Sequence, residues 1–293
     1  LFIYLLVVFV GGALLAPWLY GLTFDLAAHS SAFAKLAANP FHRFVARSLL
    51  AVALLGLWPL LRSCQMSHWR DVGLKTSHRW LSRIGGGFLV GFGSLACVAL
   101  LAILLGGRSC NRAPSGPELI RHVISAASAA IIVAVLEEIV FRGALFGILR
   151  KVFSWPLALV LSSAVYALVH FLRKTDSHGP IDWLSGLALL PKMFQAGPVF
   201  IPAVFTLFMA GAILALAYQR TGALFFSIGL HAGWIFWLKS YGFLTVKAAG
   251  SNPSIWGTDN LIDGWLALPI LGCVWWLVAS MKVAGSSARG QTV

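Results

Sequence analysis

The stretch Val135-Leu-Glu-Glu-Ile-Val-Phe-Arg-Gly143 places two adjacent carboxylates, Glu137 and Glu138, and the guanidinium of Arg142 inside an otherwise apolar run. The chain has 9 acidic residues in 293, so two of them side by side in an apolar setting call for a reason. Ionisable groups at membrane depth are costly; they tend to be paired and to mark function. Glu138 and Arg142 stand four apart, acid before base, which on a helix lets them neutralise one another. Glu137 points about 100° round the helix from Glu138. Facing a bundle interior near other polar groups, it can serve as a base with a tuned proton affinity.

Two histidines could join it. His170 closes the apolar run Tyr166-Ala-Leu-Val-His170, and His231 lies well inside another, Ser227-Ile-Gly-Leu-His231-Ala-Gly-Trp234. The others (His29, His42, His68, His78, His122 and His178) fall in loops or at interfaces and read as ordinary solvated side chains. One buried histidine is more often a packing residue than a catalyst. Two of them, on separate spans from the Glu-Glu helix, would converge polar groups where unpaired ones are expensive.

Two chemistries use such a set. A glutamate can take the proton of a water attacking a carbonyl while imidazole N–H groups stabilise the oxyanion. Alternatively, Glu137, His170 and His231 are candidate ligands for a divalent metal such as Zn²⁺, whose bound water becomes the nucleophile. The zincin pattern H-E-x-x-H is missing. Both routes end in hydrolysis, and no cofactor is certain.

These residues need elements to hold them. The chain is 59% hydrophobic and 11% charged, with mean hydropathy +0.86; soluble domains carry about 25% charged residues. The expected fold is all-α, a polytopic transmembrane bundle of about eight helices. The apolar segments lie near 1–21, 44–62, 84–106, 117–149, 155–172, 200–218, 223–241 and 262–281, each about the length that crosses a bilayer. The fourth starts near Pro117-Glu118 and is longer than a bilayer needs. The turn between the sixth and seventh is short enough to make them antiparallel neighbours. Three regions follow: 1–116 with three spans and a basic loop, 117–240 as the core, and 241–293 with a polar loop, the last helix and a disordered tail. The connector from Thr175 to Pro198 reads as interfacial or re-entrant.

The formal charge of +13 sits in loops and helix ends, where it serves topology and contact with anionic lipid and not nucleic acid. Lys and Arg divide almost evenly between the two sets of loops; only the dense loop from Arg62 to Arg83 points to cytoplasmic termini. Cys64, Cys97, Cys110 and Cys273 form neither a zinc cluster nor a disulfide framework, and Cys97 and Cys273 read as small core residues. Gly87 and Gly91, four apart, permit close helix packing. The chain starts at Leu1 without methionine, and its opening run, lacking a charged leader, reads as a first membrane helix. The expected setting is a multi-pass integral protein of the cell (inner) membrane, with the lipid bilayer and a peptide or membrane-protein substrate as partners.

In this order the motifs resemble the CPBP family of intramembrane proteases (CAAX prenyl protease 2 and bacteriocin-processing, or Abi). Glu137-Glu138-Ile-Val-Phe-Arg142 matches its E-E-x-x-x-R. Tyr166-Ala-Leu-Val-His170 matches F-x-x-x-H with tyrosine for phenylalanine. The approach Tyr218-Gln-Arg-Thr-Gly-Ala-Leu-Phe-Phe-Ser-Ile-Gly-Leu-His231 looks like its third, H-x-x-x-N/D, but Ile235 stands where that motif has Asn or Asp. The likeness covers about 117–238. It implies that Glu137 activates water, that Glu138 and Arg142 hold the helix geometry, that His170 assists or orients, and that His231 helps to bind the oxyanion. Family members have been described both as metal-dependent and as using glutamate alone.

Losing one oxyanion donor costs about 10²–10³ in rate. Ile235 therefore leaves three outcomes: a slow protease, one with a replacement donor such as Trp234 or Trp237, or a member acting as a peptide-binding, immunity or scaffold protein. The active endopeptidase is the reading carried forward, because retaining both glutamates and both histidines at membrane depth has a cost. A proton-coupled carrier is the third class; the sequence has no detectable repeats or paired broken helices to favour it.

Overall fold

The structure, a computed structural model, describes residues 1–75, 78–110, 114–171, 180–193 and 199–282. The tail from Gly285, His178 and parts of the 175–198 connector lie outside them. Among the described residues the chain is helical, with one small ladder. The helices are α1 Phe2–Ala27, α2 Ser31–Ala37, α3 Phe41–Ser63, α4 Trp80–Leu104, α5 Gly116–Val152, α6 Trp155–His170, α7 Ser185–Met193, α8 Phe200–Thr221, α9 Phe225–Leu244, α10 Pro253–Trp256 and α11 Ala267–Ala279. The strands β1 Arg108–Cys110 and β2 Thr245–Lys247 pair antiparallel, Ser109 opposite Val246.

Each expected membrane segment contains a helix among the described residues. Five are long and apolar enough to cross a membrane: α1, α3, α4, α5 and α8. The helices α6 and α11 are apolar but shorter. The 20-residue α9 carries His231, Lys239 and two serines and is not among the five. The chain is thus an all-helical integral membrane protein.

Contacts divide it into two compact units: Leu1–Ser67 with Leu168–Ala196, and His68–Ala167 with Gly197–Val293. In the first unit, α1, α3 and α7 bury Ala16, Phe41, Phe44, Val45, Leu49 and Leu189. Tyr20 packs edge-on against Phe41 and Phe44. His42 corrects the expectation of a solvated side chain: it is buried, with neither ring nitrogen hydrogen-bonded among the described residues. It falls in the first turn of α3, beside the aromatic residues that seal the unit. Part of the connector expected to be interfacial or re-entrant is the regular helix α7.

The second unit is built around α9, which packs most extensively on α4 and then on α5. Every residue from Phe225 to Ile235 is buried. Glycine makes that contact possible. A Cβ on Gly87 or Gly91 of α4 would collide with backbone atoms of Phe226 and Leu230, and one on Gly229 or Gly233 of α9 would collide with backbone of α4. Without a hydrophobic driving force in lipid, helices associate by such close packing. Gly91→Leu or Gly229→Leu is therefore expected to destabilise the protein by at least about 1–3 kcal/mol, the usual cost of overpacking. The check is the unfolding midpoint in detergent. Gly93→Leu is the control, because a Cβ there meets nothing within 4 Å.

The long α5 begins on a capping box, with the Ser115 N–H donating to Glu118 at 3.0 Å. Its length, 37 residues, is interrupted by a π-helical stretch, Glu138–Phe146. Such widened turns are uncommon inside α-helices and recur at functional sites. At the far side of this unit Arg108 is buried against Tyr241, donates to Asp259 at 2.8 Å, and ties the ladder to the loop that follows. That loop is more ordered than a plain polar connector, holding α10 and a carboxylate, Asp263, that accepts from the Thr258 N–H at 2.7 Å. Cys97 and Cys273 are exposed, not core. An apolar thiol on the outer face of a membrane helix is compatible with lipid, whereas the core rule assumes water outside.

Candidate active site

Local sequence decides how α5 presents its charges. Glu138 and Arg142, one turn apart, meet with Nη1 to Oε1 at 2.9 Å. Both are sealed, their side chains 0% and 2% exposed. A second guanidinium nitrogen, Nη2, donates to the Gly211 carbonyl of α8 at 3.3 Å. The guanidinium also lies 4.3 Å from the centre of the Tyr166 ring. Charge pairing, one backbone acceptor and one aromatic face thus surround a cation that would otherwise be expensive at this depth.

Glu137 differs. Its side chain is 27% exposed, so it reaches the edge of the cluster while Glu138 stays inside. One turn of helix thereby carries two carboxylates in two environments.

His231 arrives from α9 and joins them. Its Nδ1 is 3.0 Å from Glu138 Oε1, and its Nε2 is 3.7 Å from Glu137 Oε2 and 3.3 Å from the Tyr166 hydroxyl. Glu138 is a carboxylate held by Arg142 and can only accept, so Nδ1 carries the proton it receives. This fixes the tautomer: neutral His231 offers the lone pair of Nε2, and charged His231 offers N–H there. The 3.7 Å to Glu137 is too long for a direct hydrogen bond, but near enough for one small polar molecule to bond both groups.

The expected set is therefore brought together in part. Glu137, Glu138, Arg142 and His231 converge within the second unit. His170, the last residue of α6, is exposed and belongs to the first unit. Two residues had gone unrecognised as members. Tyr166 was read as an aromatic swap, yet its hydroxyl is the only part that phenylalanine lacks, and that part touches His231. Ser227 precedes His231 by one turn and lies beside Glu138. Its hydroxyl donates to the Leu224 carbonyl at 3.0 Å. The i, i+4 spacing of Ser227 and His231 was the available signal.

Trp234 is not a replacement donor. Its single N–H donates to Ser94 on α4 at 2.9 Å. Trp237 packs on Phe92, also of α4, and at about 100° per residue it sits about 120° round α9 from His231. Ile235 is buried in the apolar core.

A metal fits this arrangement poorly. Nδ1 of His231 is engaged by Glu138 and Glu138 by Arg142, so within the second unit the candidate ligands reduce to Glu137 and Nε2 of His231. Among the described residues no three His, Cys, Asp or Glu side chains gather into a metal-holding group.

A helical membrane protein with a sealed Glu–Arg pair and a His–Tyr pair around a more accessible glutamate has the means for water activation. Residues 120–237 match the family model described as Type II CAAX prenyl endopeptidase Rce1-like, in keeping with the intramembrane protease family that the motifs resemble. The match holds Glu137, Glu138, Arg142, Tyr166, His170, His231 and Ile235. No curated protein and no solved structure matches the chain.

Proposed function

We propose that the protein is an intramembrane endopeptidase that cleaves peptide or membrane-protein substrates near the membrane surface, using Glu137 as its base. The observation that carries this reading is the contrast between the two glutamates: Glu138 is sealed and neutralised, while Glu137, one residue away, is 27% exposed, with its buried Oε2 turned toward Nε2 of His231. A protease-family match over 120–237 supports the same class. In this reading eight helices cross the cell (inner) membrane, the five long ones with α6, α9 and α11, and His170 at the end of α6 orients substrate or water.

The chemistry balances with these groups alone. Glu137 takes one proton from water as the water oxygen bonds the peptide carbon, and the carbonyl π electrons move onto oxygen. When the oxyanion collapses, the C–N bond breaks and the proton held by Glu137 goes to the leaving amine, as general acid–base catalysis requires. Glu138 and Arg142 hold His231 in the tautomer and position from which Nε2 faces the reaction.

Cleavage of an unbiased membrane-peptide library by the purified protein in detergent tests this, with Glu137→Gln beside wild type. A chelator is expected to leave wild-type cleavage unchanged; loss of activity on chelation and recovery with added Zn²⁺ would refute the metal-free route. A second reading, a peptide-binding, immunity or scaffold protein, draws on the burial of Ile235 where an oxyanion donor is expected. It requires that folded wild type cleave nothing while binding peptide.

A further inference from the structure

We propose that the first turns of α5 form a lipid-headgroup site, a groove that takes both the phosphate and the ammonium of phosphatidylethanolamine. The site stands apart from the peptidase reading. From His122 to Glu137 along α5 is about 22 Å at 1.5 Å per residue.

Glu118, Arg121, His122 and Ser125 recur every three or four residues, so on a helix they form one stripe. That stripe and Phe243 of α9 line a groove of about 350 Å³. Beside it on α5, Leu119, Ile120, Val123 and Ile124 are large hydrophobic side chains left exposed. With 37 residues, α5 is longer than a bilayer needs. Its first turns therefore set a polar groove beside a surface suited to acyl chains, at the level of the headgroups.

The groove holds charges of both signs, and its polar groups have capacity left. Arg121 and Ser125 are exposed and have no ion pair or hydrogen bond from their side chains among the described residues. The His122 ring lies flat on Phe243, centroids 4.0 Å apart and planes 3° from parallel. Its Nε2 is 3.2 Å from the hydroxyl of Ser240, a buried residue. When that hydroxyl donates to Nε2, the ring proton sits on Nδ1 and that edge is a donor. A guanidinium, a hydroxyl and an imidazole N–H on adjacent turns suit a phosphate.

Glu118 supplies the opposite charge. Both bonds from Ser115 fall on its Oε2, at 3.0 and 2.8 Å, which leaves Oε1 for an ammonium. A simple anion would meet the Glu118 carboxylate, and a simple cation would meet Arg121. A headgroup with a phosphate next to a primary ammonium satisfies both. The quaternary ammonium of phosphatidylcholine has no N–H to donate to Oε1.

The test is native mass spectrometry of the full chain, released from micelles that contain phosphatidylethanolamine, phosphatidylglycerol or phosphatidylcholine of matched acyl chains. Wild type is expected to hold phosphatidylethanolamine at least about tenfold more tightly than the other two, the size of one charge-assisted bond. Arg121→Gln is expected to weaken that binding by about 10–10²-fold. Arg70→Gln, the same loss of charge on an exposed loop residue, should leave it unaltered. Glu118→Gln keeps the capping box, which accepts Gln at that position, and is expected to shift the preference to phosphatidylglycerol. Equal retention of the three lipids overturns the proposal. So does a wild-type preference for phosphatidylglycerol, which marks a site for anions alone. Displacement of the lipid by soluble phosphoethanolamine at equal concentration overturns the assignment to a membrane lipid. Glu137→Gln is expected to keep the wild-type preference even where it cleaves nothing, so this site and the peptidase reading stand or fall separately.

Discussion

Glu137→Gln is expected to leave the protein folded and to reduce peptide cleavage by about 10²–10⁴-fold, the range that one general base contributes. The size follows from position. Glu137 is the one carboxylate of the pair that is accessible, and the amide of glutamine keeps its shape while losing the ability to take a proton. Its neighbour cannot take over: Glu138 is sealed, engaged with Arg142 at 2.9 Å and with His231 at 3.0 Å. The measurement is single-turnover cleavage with wild type and variant at matched folded concentration. A folded variant that cleaves at the wild-type rate would remove Glu137 from the mechanism.

Arg142→Ala is expected to have the largest effect on stability, about 3–5 kcal/mol, because it leaves an uncompensated carboxylate at a fully buried position. The loss extends further than one pair. The Arg142 guanidinium also bonds α8 through Gly211 and lies against Tyr166 on α6, so the change removes ties from α5 to two other helices. Reversible unfolding in mixed micelles would measure it. The double variant Glu138→Gln with Arg142→Met removes both charges and is expected to recover much of the loss, since neutral replacement of a buried pair is commonly tolerated. It should still lack activity, because His231 would lose the carboxylate that sets its tautomer. An unfolding free energy unchanged in Arg142→Ala would show that the pair does not hold these helices.

The two kinds of result separate what the two acidic residues do. Adjacent in sequence and chemically alike, they differ in surroundings: one is placed for chemistry and the other for architecture.

Much of this was legible in the chain. Apolar runs of bilayer length announce a helical membrane protein whatever the packing, because in lipid every backbone group must bond within its own segment. The start of α5 at Ser115-Gly-Pro-Glu118 is a local matter of capping. The Glu138–Arg142 pair follows from a spacing of four on one helix. Glycines four apart on α4 gave the close packing, though the partner surface on α9, Gly229 and Gly233, had to be seen.

What depended on other helices was not legible. Nothing in the sequence told that the N–H of Trp234 faces Ser94 on α4 or that Tyr166 reaches His231, since each fact relates residues on different helices through the rotation and crossing of both. Spacing does not encode that rotation. The exposure of Cys97 and Cys273 and the burial of His42 were missed for the same reason: hydropathy marks a helix as apolar but does not say which side is turned inward. The sequence by itself therefore determined the membrane setting, the helices and the charged pair within one of them. The tertiary structure decided which glutamate is sealed, which tautomer His231 holds and that the Trp234 N–H is taken by Ser94, because those follow from which neighbouring helix each side chain meets.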